Sequence, residues 1–326
     1  MPLLYPKTRE EWLDLRSQHI SSTESSALFG MNPYKTAFEL AVLKKNGDEP
    51  WDGNERMTWG LRLERAIAEG IAADYGLKVR QLKAYVSRMP EYRIGASLDF
   101  EIIGLKQGYE GLENDLRNLY RQHGPGVLEI KNVDGWVFKQ EWDEVGKLFE
   151  APPHIELQVQ HQLECIERNW AVIGILVGGN RQVTIIRMRD REVGAAIRAK
   201  VADFYKKLQR GEMPPVNLPQ DAYAIRALYG HAEPGSVLDC QTTDNPEIHA
   251  LVAEHQAASE AKSAAEKHHK TTAAKLLMSI GTAEKVLFSD YSVSAGMVAP
   301  AHIEAYERAG YRNLRVYKRK EKEPQT

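Results

Sequence analysis

The run Gly-Val-Leu-Glu-Ile-Lys-Asn-Val at 126–133 sets the tightest limit on what this chain can build. Val127, Leu128 and Ile130 suit a short strand, bounded by Gly124–Pro125 before and Asp134–Gly135 after. Side chains alternate along a strand, so Glu129 and Lys131 share one face and Leu128 and Ile130 the other, buried one. The plainest use of that alternation is the solvent face of an antiparallel strand. The chemical use is a carboxylate that binds a cation beside an ammonium that orients, or helps deprotonate, a water.

The flanking sequence alternates helices and strands. Helical stretches are expected over Thr8–Ser17 and Thr36–Lys45, the latter stopped by Asn46–Gly47. Leu63, Ile67, Ile71 and Tyr75 recur every four residues in a helix from about Trp59 that Gly76 closes. Strands are expected in LKVRQLKAYVSR, in YRIGASLDFEIIG with a break at Gly95–Ala96, in AVIGILVGG and in QVTIIRMR. HIELQVQHQLECIE and Asp190–Arg210 read as helices, and MPPVNLP as a boundary. The expected class is α/β, a mixed central sheet flanked by helices, with a helical C-terminal extension. The core spans 1–215, with a polar insert at about 105–125. The extension spans 216–326, with a long helix, small strands and a basic tail that is disordered after Lys318.

Composition excludes more than it identifies. The chain has 326 residues, 43% hydrophobic and 27% charged, as in ordinary globular domains. No apolar run approaches the ~18 residues of a membrane span, and the N-terminus lacks a secretory pattern, so a cytoplasmic location is expected. Two cysteines cannot make a four-thiolate metal or iron–sulfur site. A net charge of -2 means that a DNA-binding face must be a local groove, with metal ions neutralising acidic lining.

Three acids stand in positions that suit a hard cation: Glu64 on the helix, Asp99 after the Gly95–Ala96 break, and Glu129. Taken singly, Glu64 is a helix residue paired with an arginine, and Asp99 a turn cap. Lys262, Lys267, His268, His269, Lys270 and Lys275 read as a solvated helix face, and Arg312–Lys322 as a tail or a duplex guide. Trp59 is expected in the core. Trp136 and Trp142, in a polar loop, are open to a DNA-contact reading.

The order helix-Glu, strand-Asp, strand-Glu-x-Lys resembles the PD-(D/E)xK nuclease core. The words around it are similar to the YqaJ and phage lambda exonuclease branch. Trp12–Arg16 resembles a W-x-x-x-R opening, and Ser21–Glu24 a T-A-S-E/D segment. SALFGMNPYKTAFEL at Ser26–Leu40 and WGLRLERAIAE at Trp59–Glu69 resemble two further family words. GASLDF, VLEIK and ELQVQHQL complete the series, covering about 9–180 in order. Leu98 stands where the family has proline, and NVDGW follows Lys131 where the family has a Cys-Pro run.

This resemblance implies a magnesium site, manganese substituting, with two ions. Asp99, Glu129 and the Ile130 carbonyl would be ligands, and Glu64 would bind or orient the second ion. Lys131 would position the water and Gln160 would support the site, although the stripe Ile155, Val159, Leu163 and Ile166 points Gln162 inward more squarely. Arg16, Thr23 and Ser97 match residues that hold a terminal 5′-phosphate. The implied activity is 5′-to-3′ degradation of linear duplex DNA with phosphorylated ends. It would leave 3′ single strands for recombination, with a single-strand annealing protein as partner and a trimeric ring as assembly. The rival readings are an endonuclease on the same core and a non-catalytic DNA-binding protein.

Overall fold

The computed structural model describes residues 3–47, 54–109, 111, 114–145, 148–240 and 245–297. Two compact units divide the chain, 1–228 and 229–326. In chain order the first begins with β1 (Leu3–Leu4), α1 (Arg9–Gln18), β2 (Ile20–Ser21), a 3-10 turn (Ser25–Phe29), α2 (Ala37–Asn46) and α3 (Glu55–Asp74). It continues with β3 (Leu77–Gln81), β4 (Tyr85–Ser87), β5 (Ile94–Ser97), β6 (Phe100–Leu105), α4 (Asp115–His123), β7 (Gly126–Val133) and α5 (Gly135–Glu141). It ends with β8 (Asp143–Val145), β9 (Leu148–Glu150), α6 (Pro153–Ile166), β10 (Trp170–Val177), β11 (Arg181–Met188), α7 (Arg191–Gln209) and α8 (Ala222–Leu228). The second unit holds α9 (Pro246–Ile280), whose described residues are mostly exposed, and a hairpin of β12 (Lys285–Leu287) and β13 (Ser292–Ser294).

The local starts follow side-chain chemistry. Thr8, Thr36 and Asn54 each accept the backbone N–H of the residue three further on, capping α1, α2 and α3. Asp134 caps α5 by accepting from Trp136 and Val137.

The central sheet runs β11-β10-β7-β6-β3, with β7 and β10 parallel and its other pairs antiparallel. Helices cover both faces, so β7 is buried throughout Gly126–Ile130. On one face Leu128, Ile130 and Val172 pack against Ile67, Ala68 and Ile71 of α3. On the other, Val127, Ile173 and Ile175 pack with Ile155, Val159 and Leu163 of α6. Gly174 of β10 lets α3 come this close: a Cβ there would overlap Cδ1 of Ile71. A second sheet, β1-β4-β5-β2, takes in the N-terminal strands β1 and β2.

Three expectations shift. The boundary falls at Leu228 rather than 215, because α8 packs Ala224 against Phe38 and Val42 of α2 and the Thr36 hydroxyl donates to buried Asp221. Trp59 is not core: it is 48% exposed, since the buried positions of α3 lie in its later turns. Trp142 is buried and stacked on Phe138, whereas Trp136 is 67% exposed. The 105–125 insert contains α4, which buries Leu116. The basic run Arg312–Lys322 and the tail lie outside the described residues.

Candidate active site

The β6–β7 pairing ends at Phe100↔Leu128, and the next residue back on the β6 side is Asp99. Its Oδ2 accepts the Ile130 backbone N–H at 2.8 Å. The strand break thereby holds a carboxylate beside Glu129, the neighbour of Ile130. Glu129 is only 2% exposed, so the solvent-face reading of its strand does not hold. Its carboxylate accepts three hydrogen bonds and keeps one acceptor position open. Gln158 Nε2 donates to Oε1 at 2.5 Å, Gln162 Nε2 to Oε2 at 2.7 Å, and Lys131 Nζ to Oε1 at 2.6 Å. Lys131 also donates to Gln158 Oε1 at 3.1 Å.

The two glutamines sit one helical turn apart on α6, which puts both on one face. Gln160 lies off that face. Its amide donates to the Met188 carbonyl and accepts from the Asp190 N–H, so it ties α6 to the end of β11 and does not touch the acids. The periodicity that turned Gln162 inward identified one of the supporting pair. Gln158, the first glutamine of the same word, was missed, although it stands four residues before Gln162.

Electrostatics couples these groups. Burial pushes the Asp99 carboxyl well above the usual range, and Glu129 and Glu64 push it further. Glu64, half-buried on α3, is raised by burial and by Glu129. Burial alone would lower the Lys131 amine, but Glu129, Asp99 and Glu64 outweigh it and hold it above the ordinary lysine value. With no cation on them, these three acids favour the protonated amine of Lys131.

Among the described residues no three His, Cys, Asp or Glu side chains close into a ready cation cage. Magnesium asks for less, one or two carboxylates with several waters. Asp99, Glu129 and the Ile130 carbonyl can meet that, and the mutual repulsion of three acids is the kind of charge a cation relieves. The donor set fits.

Asp99, Glu129, Ile130, Lys131, Glu64 and Gln158 line a cleft of about 1360 Å³. Arg9, Trp12, Arg16, Thr23, Lys35 and Arg56 line it too, with Tyr223, Ala224 and Ala227 of α8. Arg16 stacks over the Trp12 ring at 4.7 Å. Ser97 is not among the lining residues; its hydroxyl accepts from Trp12 Nε1 at 3.0 Å. The structure thus brings Arg16 and Thr23 to the cleft lining, while Ser97, exposed at the end of β5, bonds the Trp12 indole.

Residues 11–169 match the family model of the YqaJ-like viral recombinase domain. A relative from Bacillus subtilis (strain 168), the uncharacterized protein YqaJ, is 29% identical over 248 residues, 74% of this chain and 70% of that protein. Among solved structures, the alkaline exonuclease LHK-Exo from Laribacter hongkongensis gives a TM-score of 0.45 at 18% identity, covering 67% of this chain and 98% of its own. A phage related exonuclease from Haemophilus somnus 129PT gives 0.35 at 15% identity, covering 63% and 90%. The stretch 11–169, which contains Arg16, Thr23, Glu64, Asp99, Glu129 and Lys131, is the part of the chain that is similar to the YqaJ-like viral recombinase domain.

Proposed function

We propose that this chain is a magnesium-dependent exonuclease. It degrades one strand of linear double-stranded DNA from a phosphorylated 5′ end and leaves a 3′ single strand for recombination by annealing. The observation that carries this is that one cleft is lined both by Asp99, Glu129, Glu64 and Lys131 and by Arg16 and Thr23.

A bound divalent ion supplies Lewis acidity at the phosphoryl oxygen and lowers the pKa of an attacking water. Asp99, Glu129 and the Ile130 carbonyl would hold it, with Glu64 serving a second. Gln158 and Gln162 fix the Glu129 carboxylate so that it needs little reorganisation. Lys131, held cationic, orients the water and offsets charge on the phosphate instead of removing a proton. Arg16 and Thr23 receive the terminal phosphate, so that the chain end sets which bond lies over the acids. Manganese as a substitute ion, a trimeric ring and a single-strand annealing partner belong to the same proposal and are supported by the family resemblance. The family's description as a viral recombinase domain supports the recombination role.

The test compares linear duplexes with 5′-phosphate or 5′-hydroxyl ends and closed circular DNA, in magnesium and in EDTA. Magnesium-dependent loss of the phosphorylated linear substrate, with circles intact, is expected. Cutting of closed circles would instead make the chain an endonuclease, and digestion persisting in EDTA would remove the metal.

A further inference from the structure

The proposed mechanism leaves one buried charged group beside the cleft without a task. Glu24 is 3% exposed. Lys44, with its side chain 1% exposed, donates to Glu24 Oε1 at 3.1 Å. Arg16 Nη2 reaches the same oxygen at 3.5 Å and the Ser21 hydroxyl at 3.2 Å. That hydroxyl lies 3.3 Å from Thr23 Oγ1, and the Ser21 backbone N–H donates to Glu24 Oε2 at 2.8 Å. One acid therefore braces both groups assigned to the terminal phosphate, Arg16 directly and Thr23 through Ser21.

A salt bridge to Lys44 alone would neutralise a buried ammonium and require nothing more. It does not account for Arg16 and Ser21 converging on the same carboxylate. Buried ion pairs are weak contributors to stability, because desolvation offsets their attraction. What they supply well is a fixed geometry. With Arg16 and Lys44 positive and Glu24 negative, the group keeps a net positive charge at the cleft. The buried Nε of Arg16 has no hydrogen-bond partner among the described residues, an unmet donor of the kind an incoming anion can relieve. Burial would raise the Glu24 carboxyl, but Lys44 and Arg16 pull it below the usual range, so it stays ionised at neutral pH.

We infer that Glu24 and Ser21 are positioning residues that hold Arg16 and Thr23 toward the terminal 5′-phosphate of the DNA. This rests on the phosphate-end reading above. Neither residue touches the phosphate; each acts by ordering a long or rotatable side chain before the anion arrives, which lowers the cost of binding.

The experiment measures steady-state kinetics of the full-length chain on linear duplexes with 5′-phosphate and 5′-hydroxyl ends, for wild type, Glu24→Gln and Ser21→Ala. Wild type should favour phosphorylated ends. In each variant the ratio of kcat/KM for phosphorylated over hydroxyl ends should fall roughly 10-fold, with the loss in KM, as expected when a binding contact is loosened. Ser21→Ala leaves no buried charge unpaired, so it tests the idea even if Glu24→Gln does not fold. A folded variant with the wild-type ratio strikes that residue from the proposal. A wild type indifferent to the end group overturns the phosphate-end reading and this inference with it.

Discussion

Asp99 Oδ2 and the backbone nitrogen of Ile130 are 2.8 Å apart, so a side chain takes the hydrogen bond that the strand ladder no longer supplies. An asparagine can accept the same N–H, while removing a charge that burial, Glu129 and Glu64 all disfavour. Asp99→Asn should therefore melt at or above the wild-type temperature in EDTA. It should also lose DNA degradation and any magnesium-induced rise in Tm. A variant that unfolds early would show the contact matters more for the fold than for the cation.

Lys131→Ala should lower the rate of magnesium-dependent degradation by ~100-fold or more, the scale for losing one preorganised electrostatic group. Because the amine is held cationic by three acids, Lys131→Arg should retain more activity than alanine, and a proton-abstracting lysine would give the opposite result.

Asp99 and Glu64 both have raised pKa values, which fixes the sign of the metal's pH dependence. Above the raised values the acids are ionised and repel one another, so a cation binds well; as pH falls through them, protons compete with it. The magnesium concentration at half-maximal thermal shift should drop as pH rises through the raised carboxylate range. A midpoint that does not move with pH would exclude proton competition in this cluster.

His161 gives a separate pH signature. Its Nε2 donates to the Gly95 carbonyl, and burial lowers its pKa from 6.5 to about 4. The folded state thus prefers it neutral. Stability is unaffected above 6.5, is lost as pH falls toward 4 because only the unfolded chain takes the proton there, and levels off below. The gap corresponds to about 3 kcal/mol. Urea unfolding at pH 7 and pH 4.5 should show a smaller difference for His161→Leu than for wild type, and equal differences would contradict the assignment.

Packing can be tested at Gly174. Adding a methyl should cost about 1–3 kcal/mol by overpacking, since it meets Ile71 Cδ1. Ile71→Val deletes that atom, so the double variant should be more stable than Gly174→Ala alone, as measured by denaturant midpoint.

Periodicity placed the helices and strands of the first unit well, because α3, α6 and β10 bury apolar positions at regular spacing. Glu64, Asp99, Glu129 and Lys131 could be picked out by chain order, and they do line one cleft. Gln160 could not be separated from Gln158 by a short word, because which of two residues on adjoining helix faces meets Glu129 depends on the roll of α6 over the sheet. Ser97 stays exposed at the end of β5, but its hydroxyl accepts from Trp12 Nε1, 85 positions earlier, a long-range contact that no local pattern shows. Glu24 stands in the Ser21–Glu24 word, but Lys44 gives no local signal; their pairing is a tertiary event between a turn and the end of α2.

Helix α8 carries a practical consequence for anyone shortening this protein. Tyr223, Ala224 and Ala227 form part of the cleft wall, and Asp221 bonds the Thr36 cap. Trimming at the proline-rich segment near 215 would strip that wall and bare Phe38 and Val42 to water, whereas a gene ending just past Leu228 keeps the chamber whole.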